Sequence, residues 1–150
     1  MVQMRPAKLI VVSAVLTCFL GVELGYACTC MAPRTVEEAV AKSSAVFIGR
    51  VMTIYRPFLD RLGITQTSGH RVEFEIMKRW KGPNAKTIAV TTRLSGEACG
   101  YPFAKSKEYL VYVVDEPADI QTGICTGTKD AADAGREIDQ LNRMFEKQSQ

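Results

Sequence analysis

Four cysteines carry the chemistry most open to this chain: Cys28, Cys30, Cys99 and Cys125. The first two stand two residues apart in a segment without helical periodicity, and in an extended chain both thiols point to the same side. Such a set can be a redox couple, a zinc site or a disulfide frame. A redox thiol needs an activating positive neighbour, and Arg34 is the only one close by in the sequence. A four-cysteine zinc site suits a reducing compartment, and a frame suits an oxidising one. The choice therefore turns on where the protein resides.

The beginning of the chain answers that. Arg5 and Lys8 precede an apolar run from Leu9 to Val22, and Gly25-Tyr26-Ala27 follows as a small-residue cleavage site. Residues 1–27 read as a secretory signal cut after Ala27; the apolar run is shorter than the roughly 20 residues of a spanning helix, so no transmembrane segment is expected. The fifth cysteine, Cys18, leaves with it. Acylation of Cys28 as a lipoprotein is the competing reading, but Gly25 stands where a lipobox has leucine. The mature chain is then a single domain, residues 28–150, secreted to the extracellular space or periplasm.

In that compartment the remaining even set of cysteines reads as a disulfide frame. Of the three connectivities, Cys28 with Cys30 would close a small strained ring. The other two both tie the early pair to Cys99 and Cys125, and the residues alone do not separate them. Either closes loops of roughly 100 residues or somewhat less, worth about 4–5 kcal/mol per bridge as an upper figure. Either also pins the mature N-terminus, fixing its α-amino group and first carbonyl in place.

The other chemically able residues have plainer roles. His70, the single histidine, follows Gly69 and reads as a solvated loop residue rather than a ligand or base. Glu73 and Glu75 alternate with Val72, Phe74 and Ile76, the wet face of a strand. Trp80, between basic residues, reads as an anchor at a strand end. Net charge is +3; losing Arg5, Lys8 and Glu23 with the signal takes it to +2. The basic residues are scattered, the longest cluster being Lys78-Arg79-Trp80-Lys81, so no nucleic-acid partner is expected.

The elements that would hold the cysteines are mostly strands. A capping box at Thr35 and Glu38 predicts a helix over Thr35–Lys42. Strands are expected from Ala45 towards Tyr55, with Gly49 as a bulge, then around Val72–Ile76, Thr87–Thr92 and Glu108–Val114. The last is nearly continuous in apolar character, which predicts a strand covered on both faces. Pro57–Gly69 reads as a long hairpin connection. A short strand over Ile120–Cys125 and a helix over Asp130–Glu146, with Ile138, Leu141 and Phe145 on one side, complete the chain. Such elements build a small Greek-key barrel or an open antiparallel sheet.

Cys28-Thr29-Cys30, the stretch Ser44-Ala45-Val46-Phe47-Ile48-Gly49-Arg50-Val51, Cys99-Gly100-Tyr101 followed by Glu108-Tyr109-Leu110-Val111, and then Cys125 resemble the inhibitory N-terminal domain of the tissue inhibitors of metalloproteinases. That family's domain is a netrin-like module on a five-stranded OB-fold barrel with short flanking helices. The resemblance spans nearly the whole mature chain. It implies the pairings Cys28–Cys99 and Cys30–Cys125. It further implies a non-enzymatic protein with no cofactor or metal of its own, acting as a monomer on a zinc metalloendopeptidase. The Cys28 α-amine and carbonyl would chelate the target's catalytic zinc, and Thr29 would enter the adjoining pocket. Cys30, Met31, Ala32 and Pro33 would continue the wedge, with Gly100 and Tyr101 as a neighbouring strip. The sequence departs from the family in lacking a third early cysteine near Val40 and the separate C-terminal domain. The runner-up expectation is a non-inhibitory OB-fold binding module that docks an extracellular or envelope partner through a barrel face or the Pro57–Gly69 loop.

Overall fold

The computed structural model describes residues 31–56, 62, 69–93, 99–116 and 119–147. Within them the chain is mainly β. Strands β1 (Ala45–Tyr55), β2 (His70–Lys81), β3 (Thr87–Thr92), β4 (Glu108–Glu116), β5 (Asp119–Thr122) and β6 (Lys129–Asp130) are flanked by helices α1 (Val36–Lys42) and α2 (Gly135–Glu146). The first five form a ring in the order β1-β2-β3-β5-β4, closed by β1 pairing again with β4. All neighbours are antiparallel except β3 and β5, which run parallel. This is the five-stranded OB-fold barrel, so the choice left open by the sequence falls to the closed form. Closure removes the free strand edges that an open sheet would expose.

Alternation along the strands builds two cores. Phe47, Val51, Val72, Phe74, Val90, Tyr109, Val111 and Val113 fill the barrel. Val46, Leu110 and Tyr112 point outward and pack with Val36, Ala39, Ala134 and Leu141 of the helical layer. Strand β4 serves both, which is why its sequence reads as unbroken apolar residues. The bulge expected at Gly49 is present as a register shift between Ile48 and Gly49 against β2. Arg50 ties β1 to both neighbours on the exposed side, reaching Glu75 at 3.4 Å and Glu108 at 2.9 Å. At such exposure these pairs are worth at most about 1 kcal/mol each.

Helix α1 starts where its capping residue predicts: the Glu38 N–H donates to Thr35 Oγ1 at 3.2 Å. The reciprocal arm differs from a regular box, because the Glu38 carboxylate accepts from the Arg34 N–H at 3.0 Å while pairing with Lys42 at 2.7 Å. The Lys42 ammonium and the Arg34 amide together hold the Glu38 carboxyl below its ordinary pKa. Helix α1 is held by burial of Val36 and Ala39 and by two hydrogen bonds. Lys81 Nζ donates to the Val40 carbonyl at 3.0 Å, and Gln140 Nε2 to Glu37 Oε1 at 2.7 Å.

Three expectations need correction. The last barrel strand ends at Thr122, and Ile124–Thr126 turns as a 3-10 helix, so Cys125 sits on a turn rather than a strand. The C-terminal helix begins at Gly135, five residues later than expected. Lys129 and Asp130 pair with Leu110 and Tyr109, and the Asp130 side chain then caps a 3-10 turn over Ala131–Asp133. His70 is the first residue of β2, paired with Thr92 and partly buried, rather than a solvated loop residue. Trp80 is the expected anchor, donating through Nε1 to Asn142 Oδ1 at 3.0 Å. Apart from Leu62 and Gly69, the Pro57–Gly69 connection lies outside the described residues.

Candidate functional site

The parallel pairing of β3 with β5 decides where the later cysteines go. Thr91 and Thr92 lie beside Gln121 and Thr122, so both strands leave the barrel at the same end. Cys99 follows one exit and Cys125 the other. The two segments touch there: the Ile124 N–H donates to the Cys99 carbonyl at 3.2 Å. Cys99 and Cys125 are each disulfide-bonded. The parallel pair thus brings these two cysteines close together at one end of the barrel.

Each cysteine is held by local structure. Cys99 has φ 58°, a left-handed conformation costing a non-glycine residue about 1–2 kcal/mol, and the next turn is fastened by the Tyr101 N–H donating to Thr92 Oγ1 at 2.8 Å. Around Cys125, a set of threonine hydroxyls fixes the 3-10 turn against β4. Thr122 Oγ1 donates to the Tyr112 carbonyl at 2.8 Å, and Thr128 Oγ1 accepts the Tyr112 N–H at 3.0 Å while lying 2.7 Å from the Thr122 hydroxyl. Thr126 Oγ1 donates to the Gly123 carbonyl at 2.9 Å.

Gly123 permits the contact between the two segments, because a Cβ there would lie 2.7 Å from the Cys99 carbonyl oxygen. Backbone on both sides would have to move. Gly123→Ala is therefore expected to cost about 1–3 kcal/mol, the usual range for forced overpacking, read as a lower urea midpoint at unchanged slope. An unchanged midpoint would mean that the two exits do not pack as described.

The beginning of the described chain passes close by. Met31 is 92 % exposed, Ala32 is exposed and Pro33 partly buried. Pro33, Arg34 and Thr35 line a cleft whose other side includes Gly127, two residues beyond Cys125. Cys28, Thr29 and Cys30 lie outside the described residues. Gly100 is buried and Tyr101 half-buried, with the Tyr101 ring 4.8 Å from Phe103 and 5.5 Å from Tyr109. Burial first, and the neighbouring Tyr109 next, raise the pKa of the Tyr101 phenol. This strip packs on the barrel core more than it displays side chains.

One residue escaped the sequence reading. Ile124, beside Cys125, is 44 % exposed and gives this end of the barrel an apolar contact point. Its signal lay in Gly123-Ile124-Cys125-Thr126-Gly127, where flanking glycines mark a turn that would expose its apolar residue. Among the described residues no group of three or more His, Cys, Asp or Glu side chains is arranged to hold a metal ion, and no helix is long and apolar enough to cross a membrane. Comparisons with protein-family models and with curated protein sequences give no match.

Proposed function

We propose that this protein is a secreted metalloendopeptidase inhibitor, whose mature N-terminus at Cys28 binds a target's catalytic zinc through its α-amine and carbonyl oxygen. The supporting observation is the meeting of Cys99 and Cys125, both disulfide-bonded, at one end of an OB-fold barrel beside which the N-terminal segment runs. With Cys28 bridged to Cys99 and Cys30 to Cys125, the first residues are held extended and presented as a wedge. A catalytic zinc keeps an open coordination position, and a rigid pair of N and O donors fills it without the ordering cost that a free peptide bears. Thr29 is small enough to enter the pocket beside the metal. Met31 continues the wedge, and Ile124 supplies a second apolar contact.

Two measurements on the exported protein test this together. Intact mass should correspond to a start at Cys28 and increase by four hydrogens on reduction. Titration against a panel of zinc endopeptidases should then show saturable inhibition of at least one. An acylated or blocked Cys28, a different start, or no inhibition across the panel would overturn the proposal and leave a barrel that docks some other extracellular partner.

A further inference from the structure

Strand β3 pairs along its whole length with β2 but only at its last two residues with β5. The register fixes which way each of its peptide groups turns. The Ile76 N–H donates to the Lys86 carbonyl at 2.9 Å, and in an antiparallel ladder alternate residues bond to the same neighbour. Ile88, Val90 and Thr92 therefore turn their N–H and C=O groups to β2, while Thr87, Ala89 and Thr91 turn theirs to the β5 side. Thr91 meets Gln121 there. Among the described residues no strand pairs with Thr87 or Ala89 on that side, because β5 begins along β4, with Asp119 to Gln121 beside Glu116 to Val114. Thr87 is exposed and Ala89 partly exposed.

This half of β3 has the form of a pairing edge. Its register with β2 runs without a bulge, and Thr87-Ile88-Ala89-Val90 contains neither proline nor a charged residue. Bulges, proline and charge are the devices that normally blunt an exposed edge. Two N–H and two C=O groups stand at strand spacing, and another extended backbone is what complements them.

The surroundings select which backbone. A second copy of this chain pairing through the same four residues would bury far less than the roughly 1,200 Å² of a stable protein–protein interface. A short segment of a partner needs no more than the edge itself. On the inner side it would lie beside Ile88, which packs against the barrel core. On the outer side Ala89 is the small wall of a cleft of about 280 Å³ whose other walls are Tyr55, Arg71 and Glu73. A strand laid beside Ala89 can send one side chain over that small residue into the cleft, where it meets one cation and one carboxylate. A neutral amide matches both, accepting from the guanidinium and donating to the carboxylate. We propose that the Thr87–Val90 edge binds an extended, uncharged peptide segment of a partner protein in antiparallel pairing, with a glutamine-like side chain opposite Ala89. The site lies at the far end of β3 from the exit to Cys99 and does not depend on the zinc-binding N-terminus.

Titration of the isotopically labelled exported protein with acetyl-Val-Gln-Val-Thr-Thr-amide tests this. Saturable shifts of the Thr87, Ala89 and Arg71 amide resonances are expected. N-methylation of the glutamine nitrogen, which faces β3 in this register, should weaken binding at least tenfold. N-methylation of the valine that follows it, whose nitrogen faces away, should change binding less than threefold. Ala89→Pro removes one donor at an edge position where proline is tolerated, and should weaken the unmethylated peptide at least tenfold; the two methylated peptides report independently should that variant fail to fold. Absence of saturable shifts, or equal effects of the two methylations, would overturn the proposal. So would a concentration-dependent dimer of the free protein that Ala89→Pro abolishes, which would assign the edge to a second copy.

Discussion

A single alanine added ahead of Cys28 is expected to lower inhibition of a susceptible zinc endopeptidase on the order of 1,000-fold, about 4 kcal/mol of binding free energy, with no change in the melting temperature. In the proposed complex the Cys28 nitrogen is a free amine whose lone pair binds the metal. Acylated by the added residue it becomes a peptide nitrogen, whose lone pair is delocalised into the carbonyl. The extra residue also occupies the space that the target's zinc and its neighbouring groups would fill. The fold has no reason to respond, because in the proposed frame the addition precedes the first bridged residue, and among the described residues every buried hydrophobic side chain lies beyond Pro33. Potency retained within about threefold would end the chelation mechanism, whatever else the protein binds. A drop in both potency and melting temperature would point to damaged disulfides instead, and intact mass before and after reduction distinguishes that case.

The parts of this fold legible in the sequence are those governed by neighbours along the chain. Alternation in Val72-Glu73-Phe74-Glu75-Ile76, the Thr35 cap and the unbroken apolar run of β4 each report a local environment, and each element lies where expected. What escaped was decided across the chain. The parallel contact of β3 with β5 covers only two residue pairs and leaves no pattern in either strand, yet it brings Cys99 to Cys125. Asp130 to Ala134 have helical composition, but pairing with β4 draws the first of them into a strand. Tyr112 looks like one more core residue in Leu110-Val111-Tyr112-Val113, and only the packing of both helices beside it places it against a cleft. For the candidate site, the sequence identified the cysteines, while their meeting at one barrel end depends on topology.

Truncation of Phe74 is expected to have the largest effect on stability. Its side chain is fully buried in the middle of β2, where its neighbours in register are Val51 on β1 and Ile88 on β3. Its ring meets Phe47 edge-on at 5.8 Å and Phe103 edge-on at 5.1 Å. Phe103 in turn packs on Tyr109 at 4.9 Å, whose hydroxyl accepts the Ala104 N–H at 2.9 Å. Phe74 therefore joins the barrel interior to the segment that leaves Cys99. Phe74→Ala removes both aromatic contacts and opens a cavity bounded by strands that are fixed by their own hydrogen bonds and cannot close in. The expected loss is about 3–5 kcal/mol, a large part of the roughly 5–15 kcal/mol available to a domain, and on the order of 15 °C in melting temperature. Phe74→Leu, which keeps most of the volume, should lose less than half as much. Hydrogen exchange should accelerate most between Cys99 and Ala104, where the stack is the main support. A loss below about 1 kcal/mol for the alanine variant would mean that the aromatic rings do not act as one packed unit, and that the segment bearing Cys99 is held by its disulfide and backbone hydrogen bonds alone.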